Sequence, residues 1–137
     1  MSLTLEFEKE ISFNLNETGI EIPVWLYLGD NAVSFNAKVD TGASFCIFER
    51  IHGEMLGLTI ENGTPQNFGT NTGSFLAFGH NVLISVAEIQ FSSTVFFYAQ
   101  DEFRRNVLGR TGWLNKLKIG IIDYDGKFYL SHYDDFS

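Results

Sequence analysis

The chain has 137 residues, 45% of them hydrophobic and 14 of them Phe, which is enough for one buried core and excludes a disordered chain. Seventeen acidic residues against nine Lys and Arg give a formal charge of -8, which argues against a nucleic-acid partner, and the pair Arg104-Arg105 reads as a solvated loop. The single cysteine, Cys46, cannot form an intrachain disulfide; with no leader-like start and no run long enough to span a bilayer, a soluble cytoplasmic protein is expected.

Period-two alternation dominates. Leu3, Leu5 and Phe7 alternate with polar residues, as do Ile11, Phe13 and Leu15, which predicts two half-buried strands. A strand over 20–28 follows, with Pro23 favouring an edge or a bulge. The turn Gly29-Asp30-Asn31 then leads into a strand over 32–39 that delivers Asp40. Residues 45–48 read as a short strand and 49–55 as a brief helix stopped near Gly57. Beyond the Gly-, Thr- and Asn-rich stretch 61–74, strands resume over 75–78, 82–89 and 94–98. Val107-Leu108-Gly109 precedes a second short helical stretch over 113–117. The end reads as a hairpin, with strands over 119–122 and 128–132 around Tyr124-Asp125-Gly126-Lys127. No repeat or linker interrupts the pattern, so one mostly β domain, a barrel or a sandwich, is expected over 1–137.

The chemistry concentrates in Asp40-Thr41-Gly42-Ala43-Ser44, an acid in a tight glycine loop at the end of an apolar strand. Alone, such a sequence is an ordinary strand-to-loop turn. Two further motifs follow it in order: the glycine hairpin Phe68-Gly69-Thr70-Asn71-Thr72-Gly73-Ser74, and Val107-Leu108-Gly109-Arg110 before a short helix. Together the three resemble the retropepsin-type aspartic proteases over roughly residues 20–130.

That resemblance implies an all-β, closed barrel-like acid-protease fold (a single pepsin-type lobe) with one or two short helices. It also implies an aspartic endopeptidase acting as a homodimer on peptide or protein substrates, with no cofactor. The motif occurs once, so the second carboxylate of the reacting pair comes from another copy. In such a pair the two acids share one proton; the ionised one activates water and the protonated one donates to the peptide carbonyl.

By resemblance, Asp40, Thr41 and Gly42 form the catalytic loop, Thr41 bonding across the dimer axis and Gly42 allowing the substrate backbone close. Ala43, Ser44 and the flap candidates Phe68, Gly69, Thr70, Asn71, Thr72 and Gly73 contact substrate, while Leu108, Gly109 and Arg110 support the loop. Two departures stand out. Ser44 replaces the acid that usually pairs with the Arg of the third motif, leaving Arg110 to find another acceptor. The polar, acidic tail over 131–137 suits an apolar interface sheet poorly. Both features support an alternative, a catalytically inactive retropepsin-like module that binds peptides.

The remaining reactive residues read as structure. Cys46 lies in an apolar run with no nearby His, as a buried thiol would. His52, His80 and His132 lack metal-ligand spacing, so no metal is expected. Trp25, Phe35, Phe75 and Phe78 are candidates to line apolar subsites.

Overall fold

The computed structural model describes residues 1–134. The alternation read from the sequence becomes a closed ring of strands. Strands β2 (Glu21–Leu28) and β3 (Asn31–Val39) form a hairpin in which Ile22, Val24 and Leu26 are fully buried while Glu21, Pro23 and Trp25 face out. β4 (Ile47–Phe48) leads into the short helix α1 (Arg50–Met55), and a long hairpin follows from β5 (Thr64–Thr70) and β6 (Gly73–Val86). β7 (Ile89–Tyr98) and the two-residue β8 (Val107–Leu108) complete the larger sheet.

Its order is β2-β3-β8-β4-β7-β6-β5, and β6 also pairs with β2 through Trp25↔Ser85, Leu26↔Ile84 and Tyr27↔Leu83. That extra pairing closes six strands on themselves and leaves β5 outside as a flange, so the ring has no open edge at the join. Pro23 lies beyond the stretch of β2 that pairs with β6, so its missing N–H costs no ladder bond there, as the edge reading required.

A second sheet, β1-β10-β9, is built from β1 (Lys9–Ser12), β9 (Leu117–Ile122) and β10 (Lys127–His132). Trp113, wholly buried, stacks on Phe128 of β10 with ring centroids 6.2 Å apart. Both belong to the main core, which also takes in Phe48, Phe97, Ile84 and Leu108 of the ring, so one hydrophobic cluster joins the two sheets. Helix α1 docks on β7 through Gly53, where a Cβ would lie 3.0 Å from the Phe97 ring. Arg50 fixes the helix from outside by bonding Glu54, Glu61 and the Ala99 carbonyl. No helix among the described residues is long and apolar enough to cross a membrane.

The mostly β, barrel-like architecture agrees with the expectation, with one short helix. Several local readings differ. Residues 3–7 form no strand: Leu3 and Leu5 stand 89% and 64% exposed, and only Phe7 finds a seat, against Tyr129 and Gly120. Alternation alone does not make a strand where no neighbour offers hydrogen bonds. The two strands expected over 75–78 and 82–89 are one, because Gly79 is needed beneath the Phe96 ring and does not break the chain. The real turn is Ala87-Glu88, both at positive φ. The helix over 113–117 shrinks to the 3₁₀ turn Leu114–Lys116, since Leu117 already pairs with His132. Of the tail, Ser131 and His132 are in β10; Asp135, Phe136 and Ser137 lie outside the described residues.

Trp113→Ala removes the side chain that joins the sheets. It is expected to lower unfolding stability by about 3–5 kcal/mol, read as a lower urea midpoint with an unchanged slope.

Candidate active site

Asp40 sits where β3 ends, and three sets of hydrogen bonds hold its loop. Its own N–H donates to the Leu108 carbonyl at 3.0 Å, extending the parallel β3–β8 pairing of Lys38↔Val107 and Val39↔Leu108. Its Oδ1 accepts from the Gly42 N–H at 2.9 Å, and its carbonyl accepts from the Ala43 N–H at 3.1 Å, so the acid closes its own turn. The far side of the loop is then strapped down: Arg110 N–H donates to the Ala43 carbonyl at 2.9 Å and Thr111 N–H to the Ser44 carbonyl at 2.8 Å. Asp40 is left partly buried and Thr41 and Gly42 exposed.

The strap works because β8 runs between the two ends of the loop. It pairs with β3 before the loop in parallel and with β4 after it in antiparallel, at Ile47↔Val107. Gly109 follows directly, and a Cβ there would collide with the Phe45 carbonyl and lie 2.9 Å from the Ala43 carbonyl oxygen. Its N–H donates to Cys46 Sγ at 3.4 Å. Burial pushes that thiol up to about 12, so Cys46 stays neutral and structural, as the sequence implied.

A polar clasp holds the upstream end of β8. Asn106 accepts the Glu49 N–H at 2.9 Å and donates to Glu49 Oε2 at 2.8 Å, while its carbonyl takes the Lys38 N–H at 2.9 Å. His52 lies behind this clasp, stacked on Phe35 with centroids 4.0 Å apart. Its Nε2 is 3.4 Å from Glu49 Oε2, an oxygen Asn106 already occupies, and neither ring nitrogen has a hydrogen-bond partner among the described residues. Burial lowers the His52 pKa, and the attraction of Glu49 opposes this without cancelling it.

The glycine hairpin is the tip of β5–β6, turning through Asn71-Thr72 between the paired Thr70 and Gly73. Thr70 Oγ1 bonds the Gly73 carbonyl at 3.0 Å and steadies the turn, and Gly73 takes a φ of +145° that suits glycine. Phe68, at its base, stacks on Phe75 and meets Phe45 and Phe96 edge-on, with centroids 5.6 Å and 5.3 Å away. Phe45 directly follows the acid loop, so this second aromatic cluster, with Tyr98 and Phe103, couples the hairpin base to the site.

The structure therefore brings together Asp40 to Ser44 with Leu108, Gly109 and Arg110, and reaches Phe68 through Phe45. Gly69 to Gly73 make no hydrogen bond or ring contact with the loop among the described residues. Arg110 holds the loop through its backbone; its guanidinium has no ion pair or hydrogen bond among the described residues. Of the aromatic subsite candidates, Phe75 belongs to the cluster beside the hairpin, Phe78 to the main core, Phe35 to the His52 stack, and Trp25 to an outward stack with Tyr27. Phe45, Asn106 and Glu49 were not singled out by sequence, because no local pattern signals a contact between segments 57 residues apart. No group of three or more His, Cys, Asp or Glu among the described residues is placed to hold a metal ion.

Gly109→Ala drives a methyl group into two backbone carbonyls. A loss of about 1–3 kcal/mol is expected, with faster amide exchange at Arg110 and Thr111 than elsewhere in the ring. For His52, lowered affinity in the native state means that the unfolded chain takes up the proton first. Stability is then retained above about pH 6.5 and falls as pH drops below it. His52→Gln is expected to flatten that fall, seen in urea midpoints between about pH 7.5 and about pH 5.

No protein-family model matches the chain, and no curated protein matches it in sequence. Among solved structures it is similar to EIAV protease complexed with the inhibitor HBY-793, at 19% identity and a TM-score of 0.55, over 73% of this chain and 88% of that one. The likeness, over most of both chains, establishes a retropepsin-like fold.

Proposed function

We propose that the chain is an aspartic endopeptidase of the retropepsin type, assembled as a homodimer with one Asp40 from each copy at the reacting centre. The observation that carries this reading is the acid loop itself. Asp40 is partly buried and tied by its own turn, while Thr41 and Gly42 beside it are exposed, and a Cβ at Gly42 would meet only Asp40 Oδ1 within 4 Å. A carboxylate held this way is pre-positioned, and its open side can accept both a second loop and a peptide backbone. The fold shared with a retroviral protease supports the same reading.

The chemistry follows from the pair. The ionised Asp40 takes a proton from a water molecule as its oxygen bonds to the peptide carbonyl carbon. The protonated Asp40 of the other copy donates to the carbonyl oxygen, giving a neutral tetrahedral diol. As the diol collapses, one hydroxyl gives its proton to the ionised Asp40 and becomes the C=O of the new acid. The protonated Asp40 gives its proton to the nitrogen, so the C–N bond breaks, the amine leaves and the pair again holds one proton. Thr41 locks the two loops, Gly42 admits the substrate backbone, and Ala43 and Ser44 flank it. The hairpin Phe68 to Gly73 folds over the peptide, excluding water and offering its strand edge to an extended chain. Leu108, Gly109 and the Arg110 backbone keep the loop in place throughout.

Asp40→Asn is expected to cut the rate of peptide cleavage on the order of 10²–10⁴-fold while leaving the urea midpoint unchanged. Specific activity of the wild-type chain is expected to fall on dilution as dimers dissociate. An Asp40→Asn chain as active as wild type would overturn the mechanism. Peptide binding without cleavage by the wild-type dimer would instead favour the inactive module.

A further inference from the structure

Nine basic residues serve a chain of -8 charge, and most of them are used up internally. Lys9 pairs with Glu88, Arg50 with Glu54 and Glu61, and Lys127 with Glu10; Lys116 and Lys118 lie over the rings of Phe91 and Phe7. Four cations make no ion pair or side-chain hydrogen bond among the described residues: Lys38, Arg104, Arg105 and Arg110. Three of these four, Lys38, Arg104 and Arg105, line a single concavity of about 210 Å³. In a chain with so many carboxylates, unpaired cations converging on one hollow call for an external anion.

From this we infer that the hollow is a recognition site for an acidic side chain, Glu or Asp, of the bound peptide. The inference rests on the peptidase reading for the path of the peptide. Lys38 lies in β3 two residues before Asp40, which follows the strand's end, a separation of about 7 Å at 3.3 Å per residue. Asn106, also in the wall, is directly followed by β8, to which the acid loop is bonded. A peptide crossing Asp40 in extended form therefore brings a side chain one to three residues from the cleaved bond over this hollow.

The hollow is built to hold a carboxylate. Lys38 is laid across Gly19, whose Cα leaves the room: a Cβ there would lie 2.5 Å from Lys38 Cε and 3.2 Å from its Nζ. Only one carboxylate, Glu21, lines the wall; it faces Lys38 across the β2–β3 ladder but makes no ion pair with it. Thr18 and Asn36 add neutral hydrogen-bonding groups. The two arginines supply planar donor pairs that match a carboxylate. Polyanions such as nucleic acid or an anionic lipid surface meet the net charge of -8 at longer range, whereas a single carboxylate within a peptide meets mainly the three local cations.

The test uses the whole 137-residue chain carrying Asp40→Asn, which separates binding from cleavage. Fluorescent octapeptides of apolar residues, carrying Glu or Gln at each position in turn, are titrated by anisotropy. Glu is expected to bind about tenfold tighter than Gln at one or two positions, with the gap narrowing as salt rises. Arg104→Glu/Arg105→Glu is expected to abolish or reverse the preference, and Lys38→Gln to weaken it. Equal affinity for Glu and Gln peptides, no binding of either, or a preference untouched by all three substitutions would overturn the site. Full competition by inorganic phosphate at the peptide's own concentration would overturn its assignment to peptide. Wild-type cleavage assays keep the two readings apart. Glu-selective binding without cleavage removes the peptidase and keeps the site, while cleavage indifferent to Glu removes the site and keeps the peptidase.

Discussion

Everything at the candidate site depends on two residues, Val107 and Leu108, running between the strand that enters the acid loop and the strand that leaves it. A loop of exposed polar residues has no core of its own to hold it. Here its backbone groups are satisfied by a neighbouring strand and the turn after it, through the Asp40 N–H and the Ala43 and Ser44 carbonyls, while the Gly109 N–H donates to Cys46 Sγ just beyond the loop. Each such bond contributes a net of only about 0.5–1.5 kcal/mol, yet leaving the same groups buried and unpaired costs more, so the loop has one satisfied arrangement. A slip of one residue would remove Gly109 from beneath the Phe45 carbonyl and put a side chain there. The Asn106–Glu49 clasp guards against that slip by fixing the residue just before the strand.

The same arrangement ties the site to its surroundings. Phe45 continues from the loop into the aromatic cluster under the glycine hairpin, so the acid and the hairpin base share one packed unit. Lys38 continues from the loop in the other direction, onto the outer face of β3, where the unpaired cations gather. Lys38, the acid loop and Phe45 thus follow one another along the chain and lead from the basic hollow through the acid to the aromatic cluster. Apolar contacts set the hairpin base and backbone bonds set the acid, with the basic hollow alongside.

How much of this could be read from sequence depends on the range of the interaction. Alternation in 20–28 and 32–39 was legible because a half-buried strand next to its hairpin partner writes its burial locally, with Ile22, Val24, Leu26, Val33 and Ala37 inside. The same alternation misled at Leu3 and Leu5, where no neighbour is available. The gap expected between 78 and 82 is absent because Gly79 packs beneath the Phe96 ring, which lies on another strand. Asp40, Gly109 and the hairpin were recognised through three motifs in order, a pattern of spacing. What spacing could not show was that Arg110 acts through its backbone, or that Asn106 binds Glu49. Arg104 and Arg105 read as a solvated loop since their neighbour Lys38 is some 66 residues earlier in the chain, and only the fold sets them around one hollow.

The central claim is that each reacting centre needs Asp40 from two copies. Mixing wild-type and Asp40→Asn chains at constant total concentration, with exchange to equilibrium before assay, tests it most directly. If both carboxylates are required, cleavage follows the square of the wild-type fraction, because only wild-type pairs carry the complete site. A linear decline would mean that one Asp40 suffices in each chain and would contradict the account.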